Sequence, residues 1–212
     1  MSEKELTLYH YWRSSCSWRV RWSLEYKNIA YKSKHLNLLK KEHKSYDFLR
    51  QNPLGLVPCL KIGKSFYLNE SMAILEWLEE AFNKKKLLPE NIEEKSLIRE
   101  ASYLITSTLQ PLQNLQTIQH LSKEKDTQKK WARYWILLGL EAFEKKIRPY
   151  SGSYCFGDSL SFADLCLIPQ VYNAHRFEID MTEFSLLQKI YESSLRLNSC
   201  IMSHPSKFEP KE

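Results

Sequence analysis

Three serines and a cysteine crowd the segment Tyr11-Trp12-Arg13-Ser14-Ser15-Cys16-Ser17-Trp18-Arg19-Val20-Arg21. Hydroxyls that donate to a thiolate favour the ionised form and lower a thiol pKa from its ordinary value near about 8.5. The thiol in question could be Cys16 or one carried by a ligand. A plainer reading fits the same residues: Ser14, Ser15 or Ser17 is an N-cap, and Cys16 is a small buried apolar residue. No Gly-x-Gly-x-x-Gly or Gly-x-x-x-x-Gly-Lys pattern accompanies them, so a phosphate cradle has no support.

The elements around this cluster can be read from periodicity. Leu6-Thr7-Leu8-Tyr9-His10-Tyr11 alternates as a strand, and Val20, Leu24 and Ile29 start an apolar helical pattern of about ten residues. The serines therefore sit where a strand hands over to a helix, with unpaired N–H groups and the positive end of a helix dipole facing them. Tyr31 to Leu36 reads as a second strand, parallel to the first if the helix is a crossover. Glu42 to Arg50 reads as a short helix with Tyr46 and Leu49 inward, stopping at the turn Asn52-Pro53-Leu54-Gly55.

In Leu56 to Ile62 a proline enters a strand, where it cannot donate to the ladder. A cis Val57–Pro58 bond would turn the chain and open the Val57 backbone to an extended peptide. A hairpin at Gly63-Lys64 leads to a helix with Met72, Ile74, Leu75, Trp77, Leu78 and Phe82 inward and Glu76, Glu79 and Glu80 outward. Ser71 is its natural N-cap, and Glu70-Ser71 places polar groups on the junction. The order to residue 82 is βαβαββα, the thioredoxin-like order.

Asn83 to Glu90 has no periodicity and reads as a linker, after which the pattern is helical throughout. Glu93 to about Leu121 is one long helix bent at Pro111. Trp131 to Ile147 carries the stripe Trp131, Trp135, Leu138, Ala142 and Phe143. Ser161-Phe162-Ala163-Asp164 is a capping box, with Leu160 able to staple onto Leu165, and the helix runs on to Arg176-Phe177. Arg176 could simply complement the dipole at the helix end. Thr182 to Leu195 is a last helix, and Ser203 to Glu212 reads as a tail.

The run Ser14-Ser15-Cys16-Ser17-Trp18-Arg19-Val20-Arg21 resembles the Ser-Ser-Cys-x-x-Arg-Val-Arg signature of the zeta-class glutathione transferases, and the likeness extends over residues 6 to 208. It implies an α/β thioredoxin-like N-terminal domain (residues 1–83) and an all-α C-terminal domain (residues 84–212), the glutathione transferase architecture. It implies glutathione as cofactor, with Ser14 and Cys16 catalytic. The glutathione contacts it implies are Ser14, Ser15, His43, Val57, cis-Pro58, Glu70, Ser71, Gln110 and Asn114. His43 stands where a glutamine is usual, and Glu70 would face the ligand's ammonium while Ser71 takes its carboxylate. Arg13 and Arg176 would bind the anionic ends of the substrate, and Asp164 would be structural. The implied reaction is cis–trans isomerisation of a maleyl-type 4-oxo-alkenoate. Leu115, where relatives acting on maleylpyruvate have an arginine, favours maleylacetoacetate. A general conjugating transferase and a noncatalytic interaction module are the readings from other classes. A homodimer is expected from the family.

Composition bounds these readings. The chain has 212 residues, 43% hydrophobic and 26% charged, which suits a globular protein with one large or two small domains. Its +6 charge lies on scattered lysine runs without aromatic interleaving, so nucleic acid is not an expected partner. No apolar run reaches a membrane-spanning length, and the first residues lack a signal-peptide core. Five scattered cysteines suggest reduced thiols in a cytosol. The six histidines form no His-x-x-x-His pair and there is no Cys-x-x-Cys, so no metal site is expected.

Overall fold

Strands β1 (Leu6–His10), β2 (Lys32–His35), β3 (Cys59–Ile62) and β4 (Phe66–Asn69) form one sheet in the order β2-β1-β3-β4. The structure is a computed structural model describing residues 5–210. β1 and β2 are parallel, which requires a crossover, and helix α1 (Ser15–Tyr26) provides it. β3 pairs antiparallel with both β1 and β4. Helix α2 (Tyr46–Leu49) precedes β3 and α3 (Ser71–Ala81) follows β4, completing βαβαββα.

Strand alternation gives the sheet two faces. On one, Tyr9 packs against Phe48 of α2 with ring centroids 5.8 Å apart, beside Leu36 and Cys59. Phe48, rather than the predicted Tyr46, is thus the inward residue of this short helix, and Tyr46 is exposed. On the other face His10 meets α1, its Nδ1 3.2 Å from an Arg21 Nη1. Val20 and Leu24 of α1 and Ile74, Leu75 and Leu78 of α3 are fully buried. Glu79, expected on the outer side of α3, is buried as well. Its carboxylate lies 2.7 Å from Lys27 Nζ, which also donates to the carbonyls of Phe82, Lys84 and Lys85. The lysine at the end of α1 has turned that glutamate inward, because neither charge is stable in the interior without the other.

The helical part comprises α4 (Ile92–Tyr103), α5 (Leu115–Leu121), α6 (Lys125–Ile147), α7 (Phe162–Arg176) and α8 (Ser185–Leu195). The single helix expected over 93–121 is interrupted. A π-helical turn, Leu104–Leu109, and a 3-10 turn, Gln110–Gln113, separate α4 from α5. Pro111 opens the 3-10 turn, where its missing N–H leaves nothing unsatisfied, and Asn114 restarts the helix by accepting from the Gln116 N–H. In α6 the core stripe is Ala132, Ile136, Leu140, Phe143 and Ile147, whereas Leu138 and Ala142 of the predicted stripe are exposed. Gly139 helps set this orientation: a Cβ there would lie 2.7 Å from the Leu109 side chain, so that face can approach the π-turn closely. The predicted capping box opens α7, with Asp164 accepting from the Ser161 N–H and hydroxyl and also from the Cys155 N–H. The helix expected over 182–195 begins at Ser185 rather than Thr182, and it is followed by a further one.

The chain divides into two compact units, Met1–Lys85 with Asn198–Glu212, and Lys86–Leu197. Residues 198–210, assigned from the sequence to the helical domain, group instead with the sheet. Helix α9 (Asn198–Ser203) lies on α1, where the indoles of Trp18 and Trp22 donate to Ser203 Oγ and Ser199 Oγ, each at 3.1 Å. Phe208, expected in a loose tail, places its ring 4.6 Å from the Arg21 guanidinium. Among the described residues no helix is long and apolar enough to cross a membrane.

Candidate active site

Register places the candidate residues of the first unit along one edge of its sheet. Tyr9 is opposite Cys59, and Cys59 is opposite Asn69. The chain leaving β1 passes through Tyr11 to Ser14, the chain entering β3 is Val57-Pro58, and the chain leaving β4 is Glu70-Ser71. All three segments therefore emerge on the same side of this row. With strands about 5 Å apart the row from β1 to β4 spans about 10 Å, close to the extended length of about three residues.

Ser14 is the N-cap of α1, its Oγ accepting the Ser17 N–H at 3.2 Å. The capping bond uses the acceptor side of the hydroxyl. No acceptor for its proton is present among the described residues, so Ser14 can donate to an anion while remaining a cap. The two readings of this serine are compatible. Ser15 is the first helical residue and is buried, and Ser17 Oγ accepts the Tyr11 N–H at 3.4 Å, fixing the turn out of β1. Cys16 is half-buried, whereas the other four cysteines are buried. Burial pushes the thiols of Cys59 and Cys200 up to about 12 and that of Cys155 well above its ordinary value, so those three stay protonated. Arg13, half-buried, sits 5.4 Å from the Trp12 ring at the same helix start.

The Val57–Pro58 bond is cis. Neither the N–H nor the carbonyl of Val57 has a hydrogen-bond partner among the described residues, while its side chain packs on the Tyr9–Phe48–Cys59 cluster. His43 lies in a 3-10 turn, Glu42–Lys44, with its Nδ1 buried and unpartnered. Burial, and then the neighbouring Lys44, lower its pKa, so the ring is neutral at neutral pH. Gly55 makes this packing possible: its φ is +59° and a Cβ would fall 2.6 Å from the His43 carbonyl oxygen.

At the start of α3 the structure corrects one expectation. Glu70, not Ser71, is the cap residue, with φ +69° and no side-chain capping bond. That conformation is unusual for a glutamate, and such outliers gather at functional sites. Ser71 is the first helical residue and is buried, its Oγ accepting from Arg19 Nη1 at 3.0 Å. Sequence reasoning gave Arg19 no role. Its signals were its place as a fixed arginine of the family signature and its position between the apolar Trp18 and Val20.

Gln110, Asn114 and Arg176 belong to the second unit. Gln110 is half-buried at the opening of the 3-10 turn, and Asn114 Oδ1 is engaged in capping α5. This segment is anchored: Gln113 is hydrogen-bonded to Gln170 of α7, and Trp131 Nε1 donates to the Leu112 carbonyl at 2.8 Å. Arg176 ends α7, exposed, with Nη1 3.1 Å from Asn173 Oδ1.

Residues 13–81 match the family model described as glutathione S-transferase, N-terminal domain. Maleylacetoacetate isomerase of Dictyostelium discoideum is 41% identical over 97% of this chain and 95% of its own length. Among solved structures, maleylacetoacetate isomerase from Anaeromyxobacter dehalogenans, with glutathione bound in the active site, is 36% identical over 98% of each chain, with a TM-score of 0.90. A bacterial maleyl pyruvate isomerase, described as a zeta-class glutathione transferase, is 31% identical with a TM-score of 0.93, covering 97% of this chain and all of its own. This chain belongs to the zeta-class glutathione transferases. Its zeta-class signature therefore covers the end of β1's exit loop and most of α1, the part of the fold that presents Ser14, Ser15 and Cys16.

Proposed function

We propose that the chain converts maleylacetoacetate to fumarylacetoacetate, a cis-to-trans isomerisation that uses glutathione as cofactor. The observation that carries the reading is the alignment of Ser14, Val57 and Ser71 at one edge of the sheet. A tripeptide thiol fits the donors found there. The free proton of Ser14 suits a thiolate, the open backbone of Val57 suits the cysteinyl peptide, and the start of α3 suits a carboxylate. His43 Nδ1, buried without a partner, offers one further polar contact beside them. The relatives at 41% and 36% identity, matched over nearly the whole chain, agree with it.

Glutathione, when bound, supplies a thiolate that adds to the conjugated double bond, leaves it single and free to turn, and departs to restore the alkene in trans. Covalent catalysis of this kind replaces one high barrier by two lower ones. The chain's own contribution begins with Ser14, whose hydroxyl donates to the sulfur and holds it ionised at neutral pH. Cys16 lines the same helix start. Arg13 and Arg176 bind the carboxylate ends of the substrate and stabilise the negative charge that develops on its oxygen. Glu70 faces the ammonium group of the cofactor, and Ser15, Gln110 and Asn114 complete its contacts. Maleylpyruvate is the second candidate substrate, favoured by the likeness to the bacterial maleyl pyruvate isomerase. A cytosolic homodimer acting in tyrosine and phenylalanine breakdown is part of the same proposal, and light scattering tests the dimer.

Following the ultraviolet absorbance of maleylacetoacetate with and without glutathione tests the activity. The expected result is turnover that requires glutathione and leaves it unconsumed. Equal rates without it would remove the catalytic reading, and one glutathione consumed per product would mark a conjugating transferase instead. Maleylpyruvate assayed in parallel decides between the two substrates.

A further inference from the structure

Most buried cations of the first unit have partners that account for them. Lys27 has Glu79, and Arg21 donates to the carbonyls of Tyr11, Trp12 and Ser203. Arg19 differs. It is 1% exposed, its side chain's only hydrogen bond among the described residues is from Nη1 to Ser71 Oγ, and its Nε is buried with no partner. No carboxylate pairs with it among the described residues. A guanidinium does not neutralise itself by losing a proton, so a buried one without an anion is unfavourable. It reaches from α1 to the first residue of α3, where the helix dipole adds positive potential. Two positive groups thus converge on one buried serine. An arriving anion would relieve both.

We propose that Arg19 is the positioning residue for the carboxylate of glutathione's γ-glutamyl arm, acting through Ser71. The inference rests on the proposed function, which sets that carboxylate at Ser71. By donating to Ser71 Oγ, Arg19 occupies the acceptor side of the hydroxyl and leaves its single proton to donate outward. The Ser17 N–H does the same to Ser14 at the other end of the row. The thiolate and the γ-glutamyl carboxylate then each meet a serine whose orientation is fixed from behind, and the carboxylate also gains a buried counter-charge.

The test compares two peptides by calorimetry: glutathione, and γ-aminobutyryl-cysteinyl-glycine, which lacks only that carboxylate. The wild-type chain is expected to prefer glutathione. In Arg19→Met, glutathione affinity should fall roughly tenfold or more, as for loss of a hydrogen bond to a charged group. The analogue should bind as before, so that the preference collapses. Arg19→Lys keeps a cation and should retain part of the preference with the analogue again unaffected. If Arg19→Met does not fold, Arg19→Lys decides by the same ratio. Equal weakening of both peptides would mean a structural role only and would overturn the proposal, as would a preference left intact. A wild-type chain that binds neither peptide would instead refute the proposed function itself.

Discussion

Ser14→Ala removes two interactions that can be measured separately. The first is the capping bond to the Ser17 N–H, whose loss costs about 1 kcal/mol of stability. The second is the hydroxyl's donation to the bound thiolate, worth about 1.5–3 kcal/mol for a hydrogen bond to a charged group. At about 1.36 kcal/mol per pKa unit, the bound thiol should titrate roughly one to two units higher in the variant. Ser14→Asp separates the two effects, because aspartate caps as well as serine but repels a thiolate. It should keep wild-type stability and raise the thiol pKa at least as far as alanine does. The assay is the thiolate absorbance of bound glutathione against pH, beside urea unfolding of the free proteins. A thiol acidified by binding makes glutathione affinity rise with pH from the bound pKa up to the free pKa near about 8.5, and level off above it. That window should narrow in both variants. If Ser14→Ala loses stability while the bound thiol titrates as in wild type, Ser14 is a cap and nothing more.

Arg176→Ala should raise KM roughly tenfold or more with a smaller change in kcat, and unchanged kinetics would reduce Arg176 to a charge at the end of α7. His10 is fully buried, and burial, then Arg21 and His35, lower its pKa from 6.5 to about 3. Arg21 donates to its Nδ1 and its Nε2 lies 2.7 Å from Ser33 Oγ, which requires the neutral ring. The unfolded chain takes up a proton there below pH 6.5 and the folded chain does not, so stability falls as pH drops. From pH 6.5 to 5 the loss due to His10 is about 2 kcal/mol; urea midpoints of wild type and His10→Gln should converge over that range, and a parallel loss in both would contradict the assignment. Asp164→Ala strands the buried N–H groups of Cys155 and Ser161 and should destabilise by about 3 kcal/mol. Calorimetry should show glutathione affinity of the folded variant unchanged, and a loss of affinity would argue against a purely structural Asp164.

What the sequence disclosed was local. The Ser14 cap, the hairpin at Gly63-Lys64 and the Ser161–Asp164 box each depend on residues within a few positions of one another. The βαβαββα order was equally legible, because a period of two changes to one near four in the right places. The misread residues were turned by partners far along the chain. Glu79 faces inward because Lys27 lies beneath it, 52 positions earlier. The indole of Trp22 donates to Ser199 of a returning segment that the sequence had placed in the other domain. In α6 two apolar stripes competed, and the absence of a side chain at Gly139 favoured the less obvious one. The chemistry of Ser14 and Val57 came through family resemblance rather than pattern. Arg19 stood in the family signature, but its burial and its bond to a serine 52 residues away leave no periodic trace.

The most direct measurement is a crystal structure of the chain with glutathione. The sulfur is expected within hydrogen-bond reach of Ser14 Oγ, the cysteinyl backbone paired with Val57, and the γ-glutamyl carboxylate at Ser71. Glutathione bound with its sulfur remote from Ser14, or lying across another surface, would contradict the proposed chemistry.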